Sequence, residues 1–199
     1  FAYCELTAYY GDCVLNKGMT LDEAYVATRS PKNEVLAYAF ECLDKAAEYL
    51  PNSYKGQQRP TKGAALGFKA RFALFHEDWQ TAVDAAQKCM DLGVYKLHDN
   101  YREMFQATSS PEFMFYFKGD LTLKKGYGFM ENVRDFVIRK IGGHCNQSPS
   151  LELFCSYTCT DGLPIDKSPL YNPKDPFANR DPRLAMTIQP FKTKYSADY

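Results

Sequence analysis

Residues 171–184 read Tyr171-Asn-Pro-Lys-Asp-Pro-Phe-Ala-Asn-Arg-Asp-Pro-Arg-Leu184. Three prolines and several charged side chains surround a single phenylalanine, so this stretch predicts neither a regular helix nor a central strand. The Asn172-Pro173 and Asp181-Pro182 pairs instead predict turns that fix the backbone. The sequence therefore predicts an ordered, irregular loop at this position.

The first two-thirds of the chain, by contrast, predicts helices. Ser30-Pro31 places a capping residue before a proline at the first helical position, and apolar residues then recur at one-face spacing. A second helix is predicted from Thr61 to Phe75, with two apolar stripes that imply burial on both sides. A third is predicted from Trp79 to Met90, and Gly93 ends it.

The segment from Thr61 to Leu92 resembles a tetratricopeptide repeat, a pair of helices that packs against its neighbours. The positions of close helix packing in such a repeat are occupied by the small residues Ala70, Ala82 and Cys89. Trp79 begins the second helix of the pair. One repeat cannot bury its own face, so Phe1–Tyr10 and Asn33–Leu50 are expected to supply neighbouring helices.

The pattern changes after Gly93. Glu112 to Phe117 is a short apolar run that predicts a strand or a buried extended segment, and Met130 to Ile141 is a short amphipathic piece within otherwise irregular sequence. Ordered loops of such length tend to be functional. We expect a mostly α protein: tetratricopeptide-like helices over residues 1–110 and a loop-rich region over 111–199, packed together in one domain.

Composition excludes several function classes. The chain has 199 residues, and its 24 Lys and Arg balance its 24 Asp and Glu. A chain with this balance has no excess of positive charge for binding nucleic acid, so no nucleic-acid partner is expected. No apolar run is long enough to predict a membrane-spanning helix, and no basic segment followed by an apolar one predicts a secretory leader.

The cysteines and histidines offer one candidate metal site. Seven cysteines leave at least one thiol unpaired within the chain, and Cys4, Cys42 and Cys89 are expected to serve as small apolar residues on helix faces. His144-Cys145 with Cys155 and Cys159 could supply zinc ligands, but the adjacent His-Cys pair would strain a tetrahedral site. We therefore predict no metal and no cofactor.

The chain carries no catalytic signature. Gly-x-Ser-x-Gly, His-Glu-x-x-His and phosphate-binding glycine loops are all missing from the sequence. Carboxylates are plentiful enough for glycoside hydrolysis, but most lie on predicted helix exteriors, where solvated charge is the ordinary explanation. We predict that the protein is not an enzyme, with a glycosidase as the remaining catalytic alternative.

Four ordered motifs give the chain a family resemblance. They are Tyr10-Gly-Asp12, Gly56-Gln-Gln-Arg-Pro-Thr-Lys-Gly-Ala-Ala65, Pro149-Ser-Leu-Glu-Leu-Phe154 with Thr160-Asp-Gly-Leu-Pro-Ile-Asp166, and Asn179-Arg-Asp-Pro-Arg-Leu184. In this order they resemble the SusD/RagB family of outer-membrane glycan-binding lipoproteins. Because the first residue already lies inside the family pattern, the chain resembles a central fragment of such a protein.

The resemblance implies a function. It implies a cell-surface protein that captures an oligo- or polysaccharide and delivers it to a SusC-like TonB-dependent transporter of the outer membrane. It also implies a lipid anchor in a part of the protein that lies outside this chain. The alternative from another class is a tetratricopeptide-type scaffold that binds a protein partner through its helical groove.

The segment from Tyr116 to Asn146 mixes aromatic and planar polar side chains. Such side chains suit sugars, because rings stack on apolar sugar faces while amides and guanidinium groups pair with hydroxyls. The predicted ligand-binding residues are Tyr127, Phe129, Asn132, Arg134 and Asn146. Ordinary loop packing is the alternative for each of them.

The Asn179-Arg-Asp-Pro-Arg183 run resembles a binding constellation, yet a structural role is favoured. Two guanidinium groups and a carboxylate beside a proline can hold a long loop on the helical layer through charge-assisted hydrogen bonds. We therefore predict Asn179, Arg180, Asp181 and Arg183 to be loop anchors. Cys13-Val14 departs from the family's Val-Pro, which leaves the backbone after Gly11 open.

Overall fold

The computed structural model describes residues 1–54, 59–116 and 142–190. Within these ranges the chain is mostly helical, and the backbone forms no β structure beyond two isolated antiparallel bridges. The helices are α1 (Ala2–Tyr10), α2 (Leu21–Val26), α3 (Lys32–Tyr49), α4 (Lys62–Phe75), α5 (Trp79–Asp91), α6 (Tyr101–Met104), α7 (Leu151–Ser156) and α8 (Pro182–Thr187).

The chain divides into two compact units. The first comprises Phe1–His98 and Ser109–Phe117, and the second comprises Asp99–Thr108 and Lys118–Tyr199. The first unit contains α1 to α5, and the second contains α6 to α8. The division predicted from the sequence, at residue 110 within one domain, stays a prediction.

The first unit is built from packed helix pairs. The helix α4 packs along α5 and against α3, and α3 also packs against α1. The buried core comes from three of these helices and consists of Cys4, Ala39, Leu43 and Phe72. Tetratricopeptide-like helix pairs are thus the observed architecture, as predicted, and Cys4 is fully buried, as expected.

The start of α3 is stabilised from a distance. Ser30-Pro31 was expected to cap the helix locally, but Pro31 occupies the cap position without a side-chain hydrogen bond. The Lys32 amide instead donates to Asp12 Oδ1 at 2.8 Å, and the Ser30 amide donates to the Cys13 carbonyl at 3.0 Å. The local cap prediction is wrong because a carboxylate twenty residues upstream satisfies the free amide.

The helix pair α4–α5 has the boundaries that its sequence predicts. The Thr61 hydroxyl accepts from the Ala64 amide at 3.2 Å, and Asp78 caps α5 by accepting from Thr81. The tight break between the helices places Glu77 at φ 62°. On α5, Ala82 and Ala85 are buried while Trp79, Val83 and Met90 are exposed, so α4 covers one apolar stripe of the helix.

Several other local predictions are wrong. Residues 112–116 form turns and bends with Phe113 and Phe115 half-buried, so the strand is wrong as one of the two alternatives predicted for this run. Cys42 is exposed rather than apolar core, whereas Cys89 is half-buried with Sγ 3.8 Å from the Gly63 carbonyl. All seven cysteines have free thiols.

Short helices also occur where irregular sequence was predicted. The helix α7 begins after Ser150, whose hydroxyl accepts from the Leu153 amide at 3.1 Å. The helix α8 begins inside the proline-rich stretch, with Pro182 at its first turn and Asp181 as its cap. Proline fits this position because its missing amide hydrogen is not needed in the first turn. A capping box formed by Thr20 and Glu23 likewise starts α2, which the sequence reading missed.

Candidate functional site

The first unit contains a cavity of about 270 Å³ beside the start of α4. We call it the first-unit cavity. Three stretches that are distant in sequence line it. Its walls consist of Asn52, Ser53, Tyr54, Arg59, Thr61, Val94, Tyr95, Ser110, Pro111, Phe113, Met114, Phe115 and Tyr116.

Tyr95 is held in this wall by the Thr61-Lys-Gly63 segment of α4. The hydroxyl groups of Thr61 and Tyr95 lie 2.9 Å apart in a hydrogen bond. Gly63 permits the close approach, since a Cβ atom there would lie 2.2 Å from Cε2 of the Tyr95 ring. The Thr-Lys-Gly motif therefore both starts a helix and orients an aromatic side chain of the cavity.

The opposite wall is the segment of residues 110–116. The Lys96 amide donates to the Pro111 carbonyl at 3.2 Å, and the His98 amide donates to Glu112 Oε2 at 2.8 Å. Phe115 contacts Phe68 of α4 edge-on, with ring centroids 6.1 Å apart. These contacts fix an aromatic segment without a β-ladder, which explains why an apolar run of strand length is not a strand.

The lining chemistry is mixed aromatic and polar. Tyr54, Tyr95, Phe113 and Tyr116 offer flat apolar faces, and hydroxyl and amide groups lie between them. Arg59 is the single charged side chain among the lining residues that the structure describes. An apolar concave surface with a few polar groups is the usual form of a small-ligand site. This arrangement can bind a ligand that has both apolar faces and hydroxyl groups.

The predicted ligand-binding residues are mostly not placed by the structure. Tyr127, Phe129, Asn132 and Arg134 lie outside the described residues. Asn146 is described, belongs to the second unit and is exposed. Sequence reasoning missed the first-unit cavity, although the aromatic run at 113–116 was a usable signal for it.

The predicted loop anchors lie together in the second unit. Arg180 is 5% exposed, and its guanidinium group donates to the carbonyls of Phe154, Tyr157 and Pro176 at 2.7, 2.9 and 3.0 Å. The guanidinium group also lies over the Phe154 ring, 4.9 Å from its centroid. The Asn179 side chain donates to the Leu170 carbonyl at 3.1 Å.

Asp161 and Asp181 organise the backbone on either side of Arg180. Asp161 accepts from the Ser168 hydroxyl at 2.7 Å and from the Leu163 amide at 3.0 Å, and these bonds lower the pKa of its carboxyl group. The Arg183 side chain likewise lowers the pKa of Asp181. That these residues hold the loop on the helical scaffold stays a prediction.

The candidate zinc ligands do not form a cluster. Among the described residues, no three His, Cys, Asp or Glu side chains lie close enough together to hold a metal ion. Cys159 is buried, and its backbone forms the isolated bridge with Arg180. His144 and Cys145 are exposed.

Comparison with known proteins gives structural matches. No family model and no curated protein matches the chain. A crystal structure of a SusD-like carbohydrate-binding protein from Bacteroides fragilis matches at 27% identity and a TM-score of 0.74. A second SusD-like protein from the same organism matches at 24% identity and a TM-score of 0.71.

These two matches cover most of this chain but less than half of each solved structure. Each covers 92% of this chain, which spans 37% of the first solved structure and 40% of the second. The mostly helical fold agrees with the prediction made from the helical patterns of the sequence. The resemblance to the SusD/RagB family is therefore confirmed at the level of fold, since the chain is similar to these SusD-like structures over 92% of its length.

Proposed function

We propose that this chain is part of a protein that binds an oligo- or polysaccharide and leaves it uncut. The observation that carries the proposal is the structural match to a SusD-like carbohydrate-binding protein over 92% of the chain. The first-unit cavity supports it independently, because its lining has the chemistry that sugar recognition requires. Tyrosine rings stack on the C–H faces of a sugar, and hydroxyl, amide and guanidinium groups pair with its hydroxyls.

A second contact region is proposed in the loop between Tyr116 and Asn146. Tyr127 is flanked by Gly126 and Gly128, which favours an exposed loop tip over a packed strand. Tyr127 and Phe129 would stack on sugar rings, while Asn132 or Arg134 pairs with the hydroxyls. Replacing both rings with Ala should abolish glycan retention and hardly change the melting temperature. A loss of several degrees with binding intact would show that the rings are core residues.

The cellular setting is also part of the proposal. The complete protein would be lipid-anchored at the outer membrane, face outward, and deliver its glycan to a SusC-like TonB-dependent transporter. Among the described residues, no helix is both long and apolar enough to span a bilayer. Protease treatment of whole cells should remove the protein. Survival of the protein in the cytosolic fraction would contradict this setting.

A protein-binding scaffold is the second candidate function. A groove of about 470 Å³ lies between α3, α4 and α5, with Leu66 and Leu92 among its apolar residues. Charged side chains of both signs line the same groove, which is the usual arrangement for a polar rim around an apolar centre. If the protein bound no glycan and a protein partner occupied this groove, the result would favour the scaffold function.

The proposed function is tested by affinity electrophoresis through gels that contain single polysaccharides. We expect at least one polysaccharide to retard the wild-type chain, and Tyr54→Ala with Tyr116→Ala to reduce that retardation. Tyr49→Ala is the matched control, because Tyr49 is 79% exposed on α3 and does not line the cavity. Chromatography of the same polysaccharide after long incubation should show no shorter products, and their appearance would support a glycosidase.

A further inference from the structure

The second unit contains a separate cavity of about 350 Å³, which we call the second-unit cavity. It lies between α6, α7 and the start of α8, and Tyr101, Tyr157, Thr158, Asp181 and Arg183 are among its lining residues. None of these residues belongs to the lining of the first-unit cavity.

Arg183 presents a fixed guanidinium group in this cavity. Its Nε donates to both carboxylate oxygens of Asp181 at 3.0 Å, and one terminal nitrogen donates to the same carboxylate. The carboxylate is itself fixed, since it accepts from the Arg183 amide at 2.9 Å as the cap of α8. Among the described residues, the other terminal nitrogen of Arg183 has no hydrogen-bond partner, so its N–H groups remain available to a ligand.

Asp181 and Arg183 differ in the exposed fraction of their side chains. Asp181 is 14% exposed, whereas Arg183 is 60% exposed. A solvent-exposed ion pair contributes about 0–1 kcal/mol to stability. The buried Arg180 already bonds three carbonyl groups of this unit. The bonds to Asp181 therefore orient Arg183, whose exposed guanidinium group is available to a ligand.

Two tyrosine side chains line the cavity together with this guanidinium group. Tyr101 is 38% exposed, and its ring packs edge-on against Phe105 with centroids 5.2 Å apart. Tyr157 is fixed by its hydroxyl, which donates to Thr187 Oγ1 at 3.1 Å. Both tyrosines line the same cavity as Arg183, and the Asp181 carboxylate raises the pKa of the Arg183 guanidinium group.

Charge restricts the ligand class. The Asp181 carboxylate neutralises Arg183 and lines the cavity, so an anionic ligand would meet a like charge at short range. A neutral, polyhydroxylated ring meets no such penalty. Its hydroxyls can accept from the free N–H groups of Arg183, and its C–H face can lie on a tyrosine ring.

We propose that Arg183, Tyr101 and Tyr157 form a second saccharide subsite, one that takes a neutral sugar unit. The proposal rests on the proposed function, because both cavities would bind glycan. Asp181 is a positioning residue in this subsite: it aims the guanidinium group and is not required to contact the sugar.

The test is calorimetric titration of the 199-residue chain with neutral maltose-, xylose- and arabinose-based oligosaccharides. In a chain with Tyr54→Ala, Tyr116→Ala, Tyr127→Ala and Phe129→Ala, which lacks the other proposed glycan contacts, we expect weaker binding at one remaining site. Adding Arg183→Met should lower that residual affinity roughly tenfold, as expected for loss of a charge-assisted hydrogen bond. Arg102→Met on α6 is the matched control and should leave the affinity unchanged.

A further variant separates recognition from folding. Arg183→Lys keeps a cation beside Asp181 but loses the planar donor fork, so it should weaken binding without lowering the melting temperature. Loss of all binding in this four-substitution background would overturn the second subsite while the proposed function stands. Residual binding that survives Arg183→Met and Tyr101→Ala would also overturn it. A wild-type chain that binds none of these saccharides and no gel-borne polysaccharide would overturn both proposals.

Discussion

Gly63 is the position where one added methyl group tests the first-unit cavity most sharply. A Cβ atom on Gly63 would lie 2.2 Å from Cε2, 2.4 Å from the hydroxyl oxygen and 2.6 Å from Cζ of Tyr95. Non-bonded carbon atoms prefer separations of about 3.5–4.0 Å, so the Tyr95 ring must move by roughly 1 Å or more. Gly63→Ala therefore displaces an aromatic wall of the cavity.

Opposing contributions set the size of the effect. Alanine favours the helix over glycine by about 1 kcal/mol. Overpacking costs about 1–3 kcal/mol, and loss of the 2.9 Å Thr61–Tyr95 hydrogen bond costs about 1 kcal/mol. The net expectation is a destabilisation of about 1–3 kcal/mol, which lowers the melting temperature by roughly 2–12 °C for a chain of this size.

Calorimetry and glycan retention measure this outcome together. We expect Gly63→Ala to lower both the melting temperature and the affinity for any retained glycan. Gly67→Ala, one turn further along α4, is the matched control, because the added Cβ would meet the flexible end of Met114 at 3.1 Å. That variant should keep or raise the melting temperature.

A double-mutant cycle identifies the cause. With Tyr95→Ala in place, Gly63→Ala has no ring to displace and should stabilise the chain by about 1 kcal/mol through helix propensity alone. A Gly63→Ala chain with unchanged stability and unchanged retention would refute the reasoning, since it would show that Tyr95 does not pack on α4.

Three further predictions concern stability. Arg180→Met leaves three carbonyl oxygens without their donor and should lower the free energy of unfolding by about 3 kcal/mol or more in urea titrations; an unchanged midpoint would contradict this. Asp12→Ala should cost about 1 kcal/mol through the lost cap of α3, whereas Asp12→Asn, which still accepts, should cost less. Burial lowers the pKa of His76 below 6.5, and the nearby Lys32 charge lowers it further. The His76 imidazole therefore binds a proton more readily in the unfolded chain than in the folded one. Stability should therefore be full above about pH 6.5 and decline as the pH falls below that value, and His76→Leu should remove the decline.

The sequence predicted those helices whose start, stop and apolar stripe are all local. Thr61 and Asp78 cap α4 and α5 from the position just before each helix, because a cap needs only the amides of the next turn. The cap of α3 failed as a prediction since Asp12 supplies it from outside the local sequence. The apolar run at 112–117 failed as a strand because no partner strand lies beside residues 112–116 in the described structure.

The candidate site was harder to predict than the fold. The first-unit cavity joins residues near 52–61, 94–95 and 110–116, and no single motif contains the three stretches. The link between Thr61, Gly63 and Tyr95 depends on tertiary packing, although Thr61 and Gly63 belong to a motif that the sequence displays. The Arg183 side chain was predicted as a loop anchor together with Arg180, and their different exposure became visible only in the structure.

Hydroxyl-radical footprinting tests the central claim most directly, because it locates a bound glycan on the wild-type chain without substitutions. The chain is oxidised alone and with a polysaccharide that retards it in gels, and the oxidised side chains are identified by mass spectrometry. The account predicts that glycan slows the oxidation of Tyr54 and Tyr116 and leaves Tyr49, on the outside of α3, unchanged. Equal oxidation of Tyr54 and Tyr116 with and without the retained glycan would contradict it.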